Sequence, residues 1–283
     1  MERMAIVIRR GSWDDFDAVY ELTATPQSRP EHLRWLWDLP SFEPERHLWL
    51  AEEDGRLRAY GMLHAPDMAA ARGDPELIPA LLEHVETQAR DERLEHLTFV
   101  IPSTDEEACR QYERAGFELA TEVLEMEVAL DGTLQTPRLP QGVTLRTYTD
   151  DDANAVRELL DEAYLSWDDA YIPLTHEDWL AFMTKHDSFD PECWFLAERN
   201  GELLGVCLNW KEGWIKDIAV SPAARGKGLG EALLRHSFSR LHERGVSRFG
   251  LKVDARNPTG AVRLYERVGM RVVKRHRAYV KKL

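Results

Sequence analysis

Cysteine is scarce. Cys109, Cys193 and Cys207 form no CxxC pair and are too few for a disulfide framework. That excludes cysteine-stapled secreted domains and zinc ribbons, and it sets the expectation of a reducing cytoplasm. Long apolar runs are also missing: nothing approaches the ~18 residues of a membrane span, so no membrane partner is expected. The first ten residues carry Glu2, Arg3, Arg9 and Arg10 and hold no apolar stretch of signal-peptide length. Basic character is lacking overall. At a net charge of −14, binding along a nucleic-acid backbone would work against repulsion, and no such partner is expected. What remains is an ordinary globular composition, 43% hydrophobic and 30% charged, over 283 residues. That length suits two domains or one large one.

The charge is unevenly spread. Residues 1–140 carry −15, residues 141–220 carry −11, and residues 221–283 carry +12. A basic quarter on an acidic chain suits a small polyphosphate ligand held locally. Arg235, Arg240, Arg244 and Arg248 read instead as solvated surface.

The chain repeats itself, with the order kept and the offset drifting slowly. Ile8-Arg9 and the following Asp14-Asp15 match Leu145-Arg146 and Asp151-Asp152 at an offset of 137. Leu48-Trp49-Leu50-Ala51-Glu52 matches Trp194-Phe195-Leu196-Ala197-Glu198 at 146. Ala80-Leu81-Leu82 matches Ala232-Leu233-Leu234 at 152, and Tyr112-Glu113-Arg114-Ala115-Gly116 matches Tyr265-Glu266-Arg267-Val268-Gly269 at 153. The chain is therefore a duplicated domain. Gly132, Pro137, Pro140 and Gly142 punctuate the boundary, giving copies at 1–131 and 143–283 and a linker at 132–142.

In the second copy the patterns predict strands at 143–146, 193–198, 203–210, 214–220, 248–253 and 272–280. Helices are predicted at 151–164, with Thr149 or Asp150 as N-cap, at 229–243 and at 260–268. Asn200-Gly201 reads as a hairpin turn. Interleaved strands and helices give an α/β or α+β class.

The stretch most informative about chemistry is Val220-Ser221-Pro222-Ala223-Ala224-Arg225-Gly226-Lys227-Gly228-Leu229-Gly230-Glu231. A strand runs into a turn rich in glycine and base, and an amphipathic helix follows. Glycine permits close approach and positive φ. The first helical amides have no internal partners and face the loop, so together these features make a pyrophosphate cradle. The spacing is neither that of an NTP-binding loop nor GxGxxG.

Arg225-Gly226-Lys227-Gly228-Leu229-Gly230 resembles the [Q/R]xxGx[G/A] loop of the GNAT superfamily of N-acetyltransferases. Asn257-Pro258-Thr259-Gly260-Ala261, continuing to Leu264-Tyr265-Glu266 and Gly269-Met270, resembles a second segment of the same superfamily. The whole of 141–283 fits, and 5–130 fits as a degraded relative. The resemblance implies tandem domains, each a mixed, mostly antiparallel twisted sheet flanked by helices. It implies acetyl-CoA as co-substrate. The backbone of Ile218, Ala219 and Val220 would pair with the pantetheine arm. Arg225 and the amides of Gly226, Lys227, Gly228, Leu229, Gly230 and Glu231 would hold the pyrophosphate, and Asn257 the pantetheine. Tyr265 would protonate the departing thiolate. Such groups suit attack of a neutral amine on a thioester, which builds an oxyanion and releases a thiolate. Read from the residues alone, Ile218 and Val220 are equally core strand residues, and Tyr265 an ordinary buried aromatic.

The resemblance does not supply a general base. Positions that carry glutamate in some relatives hold Lys252 and Trp214. Asp217 is the candidate base, with a strand-end carboxylate in a structural pair as the competing reading. The first copy departs further. Its matching loop reads Arg72-Gly73-Asp74-Pro75-Glu76-Leu77-Ile78, seven residues shorter from the matching strand, roughly the length of a strand. Thr104 stands at the Asn position, and Tyr112 is retained. The first copy is expected to bind no CoA productively and to serve a structural role.

Residues 163–191 form an insert holding Tyr164, Trp167, Asp168, Asp169, Tyr171, Trp179, Phe182 and Phe189. Aromatics interleaved with acids can cage a cationic amine, or can simply pack helices. His176 and His186 lack metal spacing, and no metal is expected. The expected activity is acetyl transfer from acetyl-CoA to a small primary amine by direct attack. The alternatives are a non-catalytic CoA-responsive module and a protein N-terminal or lysine acetyltransferase. A homodimer is left open.

Overall fold

The computed structural model describes residues 6–23, 31–64, 66–130, 135–168 and 171–283. It divides into two units, one of Met1–Thr121 with His276–Leu283, the other Glu122–Arg275. The chain runs β1 (Val7–Arg10), α1 (Phe16–Thr23), α2 (Glu31–Trp37), α3 (Pro44–His47), β2 (Leu48–Glu53), β3 (Arg56–His64), β4 (Met68–Gly73), α4 (Ile78–Asp91), β5 (His96–Pro102), α5 (Glu106–Arg114) and β6 (Glu118–Ala129). It continues through β7 (Thr144–Thr147), α6 (Ala153–Leu165), α7 (His176–Thr184), β8 (Trp194–Arg199), β9 (Glu202–Asn209), β10 (Ile215–Val220), α8 (Leu229–His242), β11 (Arg248–Asp254), α9 (Ala261–Arg267) and β12 (Arg271–Lys282). No helix among the described residues is long and apolar enough to cross a membrane.

In the first unit β1 to β5 are neighbours in chain order. Every pair is antiparallel except β4 with β5, which run parallel and meet at Met68 and Thr98. The end of the chain completes this sheet: β12 pairs antiparallel with β5, from His276 opposite Pro102 to Lys282 opposite His96. Tyr279 is fully buried there, in one core with Phe99, Tyr112 and Phe117.

In the second unit β7, β8, β9 and β10 form an antiparallel sheet. Both faces are covered, because successive strand residues point to opposite sides. Phe195 and Ala197 of β8 pack with Leu233, Leu234 and Phe238 of α8. Trp194 and Leu196 pack with Val156 and Leu160 of α6 and Trp179 of α7. The strand β11 pairs antiparallel with β6, from Asp254 opposite Val123 to Arg248 opposite Ala129.

Both units therefore borrow a strand. The compact units do not have the bounds of the copies read at 1–131 and 143–283. Residues 122–129 belong with the second unit, and residues 276–283 with the first. The reason is physical: β6 and β12 are equivalent in the repeat and offer similar edges, so either copy can accept either strand. Residues 131–134, at the expected linker, lie outside the described residues.

Local signals hold well in the second unit. Thr149 caps through a capping box with Asp152, and Asn200 and Gly201 both take positive φ in the β8–β9 turn. Arg146 grips Asp152 at 2.6 Å and Glu198 at 2.5 Å. In the first unit Arg9 grips Asp15 at 2.6 Å and Glu52 at 2.7 Å, under the same Ser12 capping box.

Candidate active site

The strands β10 and β11 run parallel and touch at one bridge, Trp214 with Gly250, where the Gly250 amide donates to the Gly213 carbonyl at 3.2 Å. The Trp214 ring lies across Gly250, where a Cβ would come within 2.8 Å of Cζ3, so only glycine permits the convergence. Beyond that bridge the two strands form no ladder, and among the described residues one edge of β10 has no strand partner. Trp214 is thus part of this junction.

Residues 221–228 connect β10 to α8. Gly228 sits at the N-cap of α8 with φ +80, no side chain caps the helix, and nothing lies within 4 Å of where a Cβ would stand. The backbone amides of Gly226, Lys227, Gly228, Leu229, Gly230 and Glu231 donate to no described residue. A run of unused amides at the positive end of a fourteen-residue helix is an anion cradle. Arg225 is tied down from its other side, with Nε donating to the Val220 carbonyl at 3.2 Å and its guanidinium to Ser166 Oγ at 3.1 Å. The Lys227 ammonium donates to the Ala223 carbonyl at 2.9 Å. Arg235, Arg240, Arg244 and Arg248 are each paired with a carboxylate, of Glu231, Glu243, Asp190 and Glu127, as expected of surface bases.

Asn257 lies in the turn before α9. Its Oδ1 accepts from the Thr259 amide at 3.0 Å and from Thr259 Oγ1 at 2.5 Å, which leaves Nδ2 as its free donor among the described residues. Tyr265 on α9 is 6% exposed, and among the described residues its hydroxyl has no hydrogen-bond partner. Burial pushes that phenol up, helped by Cys207 and Asp217 nearby. It stays protonated at neutral pH.

Asp217 on β10 is 9% exposed. A register shift between Ile215 and Asp217 turns Lys216 and Asp217 toward each other. One carboxylate oxygen accepts from the Tyr164 hydroxyl at 2.6 Å, the other from the Lys216 ammonium at 3.1 Å. Lys216 also lies 5.0 Å from the centre of the Phe182 ring. Tyr164 stacks on Tyr171 with centroids 5.0 Å apart, and Tyr171 donates to Asp161 at 3.1 Å. Burial, reinforced by Asp217, holds the Tyr164 phenol well above its ordinary range.

The insert therefore splits. Trp179 and Phe189 pack into the core with Tyr148 and Trp194, and His186 stacks on Trp210 at 4.6 Å. Tyr164 and Tyr171 gather around Asp217 and Asp161, while Asp169 lies outside the described residues. The sequence reading named Tyr164 only as one aromatic among several and passed over Lys216. A signal existed for Tyr164: it continues the stripe Val156, Leu160 at a spacing of four and so faces inward. For Lys216 no signal preceded the register shift.

The matching region of the first unit is built differently. The missing length is not a strand: β4 is present, and Arg72 and Gly73 lie on it. What is shortened is the connection after it, residues 74–77. That turn closes on itself, with Asp74 accepting the Leu77 amide on its carbonyl and the Glu76 amide on its side chain. Tyr112 is 1% exposed and donates its hydroxyl to the Ala71 carbonyl of β4 at 3.0 Å.

The Acetyltransferase (GNAT) family model matches residues 153–270. A mycothiol acetyltransferase from Nocardia farcinica is 30% identical over 79% of this chain and 78% of its own length. One from Streptomyces avermitilis is 35% identical over 54% of this chain and 51% of its own. In such alignments the chain spans about half the length of the curated relatives it matches. Among solved structures, a GCN5-related N-acetyltransferase from Sphaerobacter thermophilus superposes with a TM-score of 0.75 at 26% identity, covering 98% of this chain and 95% of its own. A tandem GNAT protein from the clavulanic acid biosynthesis pathway shares the fold, with a TM-score of 0.68 at 14% identity over 98% of each chain.

Proposed function

Because this chain belongs to the acetyltransferase (GNAT) family, we propose that it transfers an acetyl group from acetyl-CoA to a small primary amine, using one site, in the second unit. The observation that carries this reading is the run of unused amides from Gly226 to Glu231 at the start of α8, beside a β10 edge with no strand partner. Acetyl-CoA suits both: a pyrophosphate for the amides, and an amide-bearing arm for the edge at Ile218, Ala219 and Val220. Arg225 and Lys227 supply positive charge beside the cradle, and Asn257 Nδ2 is a donor for the same arm.

The reaction is direct attack. The amine nitrogen bonds to the thioester carbonyl carbon, the carbon–sulfur bond breaks, and the thiolate leaves. Tyr265 supplies the thiolate's proton, since its hydroxyl is protonated and unengaged. Asp217 is the ultimate acceptor of the amine's proton. The acceptor is a small cationic molecule. The stacked Tyr164 and Tyr171, with Asp161 and Asp217 behind them, favour a cationic acceptor, whose reacting nitrogen attacks as the neutral amine. The name of the relatives, mycothiol acetyltransferase, agrees with a small-molecule acceptor.

Calorimetric titration with acetyl-CoA tests the reading. One site per chain is expected, lost in Gly228→Glu, which sets a carboxylate where the open N-cap faces the phosphates. Unchanged affinity in that variant removes the loop assignment. Two sites overturn the reading of the first unit. Binding with no turnover on any amine leaves a CoA-responsive module.

A further inference from the structure

The acetyltransferase reading leaves one step without a geometry: how the proton of the attacking amine reaches a base. Asp217 does not meet the acceptor directly. It is 9% exposed, its Oδ1 lies behind the Tyr164 hydroxyl at 2.6 Å, and its Oδ2 is held by Lys216 at 3.1 Å. Tyr164 is half-buried where Asp217 is buried, so of the pair it is the residue with surface left for a ligand. Its hydroxyl has spent its one proton on Asp217, and its oxygen keeps lone pairs that can only accept. A 2.6 Å O–H···O contact is short, as expected of a hydroxyl donating to an ionised carboxylate.

We infer that Tyr164 is a catalytic residue that relays the amine's proton to Asp217. This rests on the proposed acetyl transfer. As the carbon–nitrogen bond forms, the nitrogen gives its proton to the Tyr164 oxygen, while the Tyr164 proton passes to Asp217 Oδ1. Tyr164 ends as it began, Asp217 is protonated, and the thiolate takes a proton from Tyr265. No charge comes to rest on the phenol, whose deprotonated form the site strongly disfavours. Lys216 holds the other carboxylate oxygen of Asp217, and the stack on Tyr171 fixes the ring of Tyr164.

The titratable groups around Asp217 are Tyr164 on α6, Tyr171 after it, Lys216 on β10, Cys207 on β9 and Tyr265 on α9. Burial holds the phenols protonated and pushes the Cys207 thiol up to about 12.

The test is thiol release from acetyl-CoA by the full chain, with a panel of amino alcohols and amino sugars as acceptor probes. Tyr164→Phe keeps the stack and loses the relay. It is expected to lower kcat about 100-fold with acetyl-CoA affinity unchanged. Asp217→Asn is expected to do the same. The double variant is expected to be no slower than the worse single, as for groups that act as a unit. If Tyr164→Phe fails to bind acetyl-CoA, Asp217→Asn carries the test, because its Oδ1 still accepts from Tyr164. Wild-type release that Tyr164→Phe leaves within twofold overturns the relay alone. Multiplicative losses in the double variant overturn it too. No release by wild type with any probe overturns the acetyltransferase reading, and the relay with it.

Discussion

In the first unit Tyr112 gives its hydroxyl to the Ala71 carbonyl of β4, while in the second unit Tyr265, at the matching point of the repeat, leaves its hydroxyl unengaged among the described residues. Ala71 matches Ile218 through the pairing with the preceding strand, Gly61 opposite Ala71 and Cys207 opposite Ile218. The strand position that the proposed function gives to a ligand in the second unit is thus met in the first by a side chain of its own. The connections differ in the same sense. Glu76 and Leu77 spend their amides on Asp74, and Asp74 its own on Arg58, while residues 226–231 spend none on any described residue. On the proposed function, the first copy differs from the second less by missing parts than by satisfying its own polar groups. The parts that only hold the fold stay equal: Arg9 with Asp15 and Glu52 repeats as Arg146 with Asp152 and Glu198.

The strand exchange offers the largest effect. Tyr279 lies near the end of the chain, is fully buried in the first unit, and donates to Glu113 at 2.8 Å. Tyr279→Ala is expected to cost that unit about 3–5 kcal/mol, the usual range for emptying a large aromatic from a core. Differential scanning calorimetry with and without acetyl-CoA checks it: the transition that acetyl-CoA does not raise should move down. If the ligand-raised transition moves instead, the end of the chain belongs with the second unit.

The two tyrosines come next. Tyr265→Phe is expected to lower kcat about 100-fold, near 2.7 kcal/mol, with acetyl-CoA affinity unchanged. Tyr112→Phe is expected to leave kcat alone and to cost about 1 kcal/mol of stability, from the hydrogen bond to Ala71. Steady-state thiol release and denaturant titration on both variants read the contrast. Equal kinetic effects would mean that the first unit also turns over substrate.

Much of this comparison was legible in the sequence. The four repeats in register, the glycine loop and the surviving tyrosines are local signals, and local signals fixed the strand–helix order and the Thr149 cap. Three things were not legible. Which copy a strand joins depends on edges far apart in sequence, so β6 and β12 went to the wrong units. The shortened segment of the first copy was read as a strand because only lengths could be compared, whereas pairing of Ala59 with Gly73 shows the strand intact. The partners of Asp217 depend on a register shift at Lys216 and on the inward face of α6, and neither leaves a trace at Asp217 itself.

The smallest expected effect is where the two units should agree. The Arg146 guanidinium, donating to Asp152, holds that carboxyl down at about 2, against about 3.9 unfolded. Asp15 is lowered in the same way by Arg9. A depressed folded value means that each pair stabilises fully above the unfolded pKa. That contribution is lost as pH falls from about 4 toward 2, where the folded carboxyl takes up its proton. Arg146 and Arg9 are about 40% exposed in their side chains, so water screens the pairs and each is worth roughly 1 kcal/mol or less. Unfolding free energies measured between pH 2 and 5, for wild type and for Arg9→Ala and Arg146→Ala, should show a shallower loss in each variant, of similar size in both. A flat response in one variant alone would mean that the repeated cap is a working part in one unit and a leftover in the other.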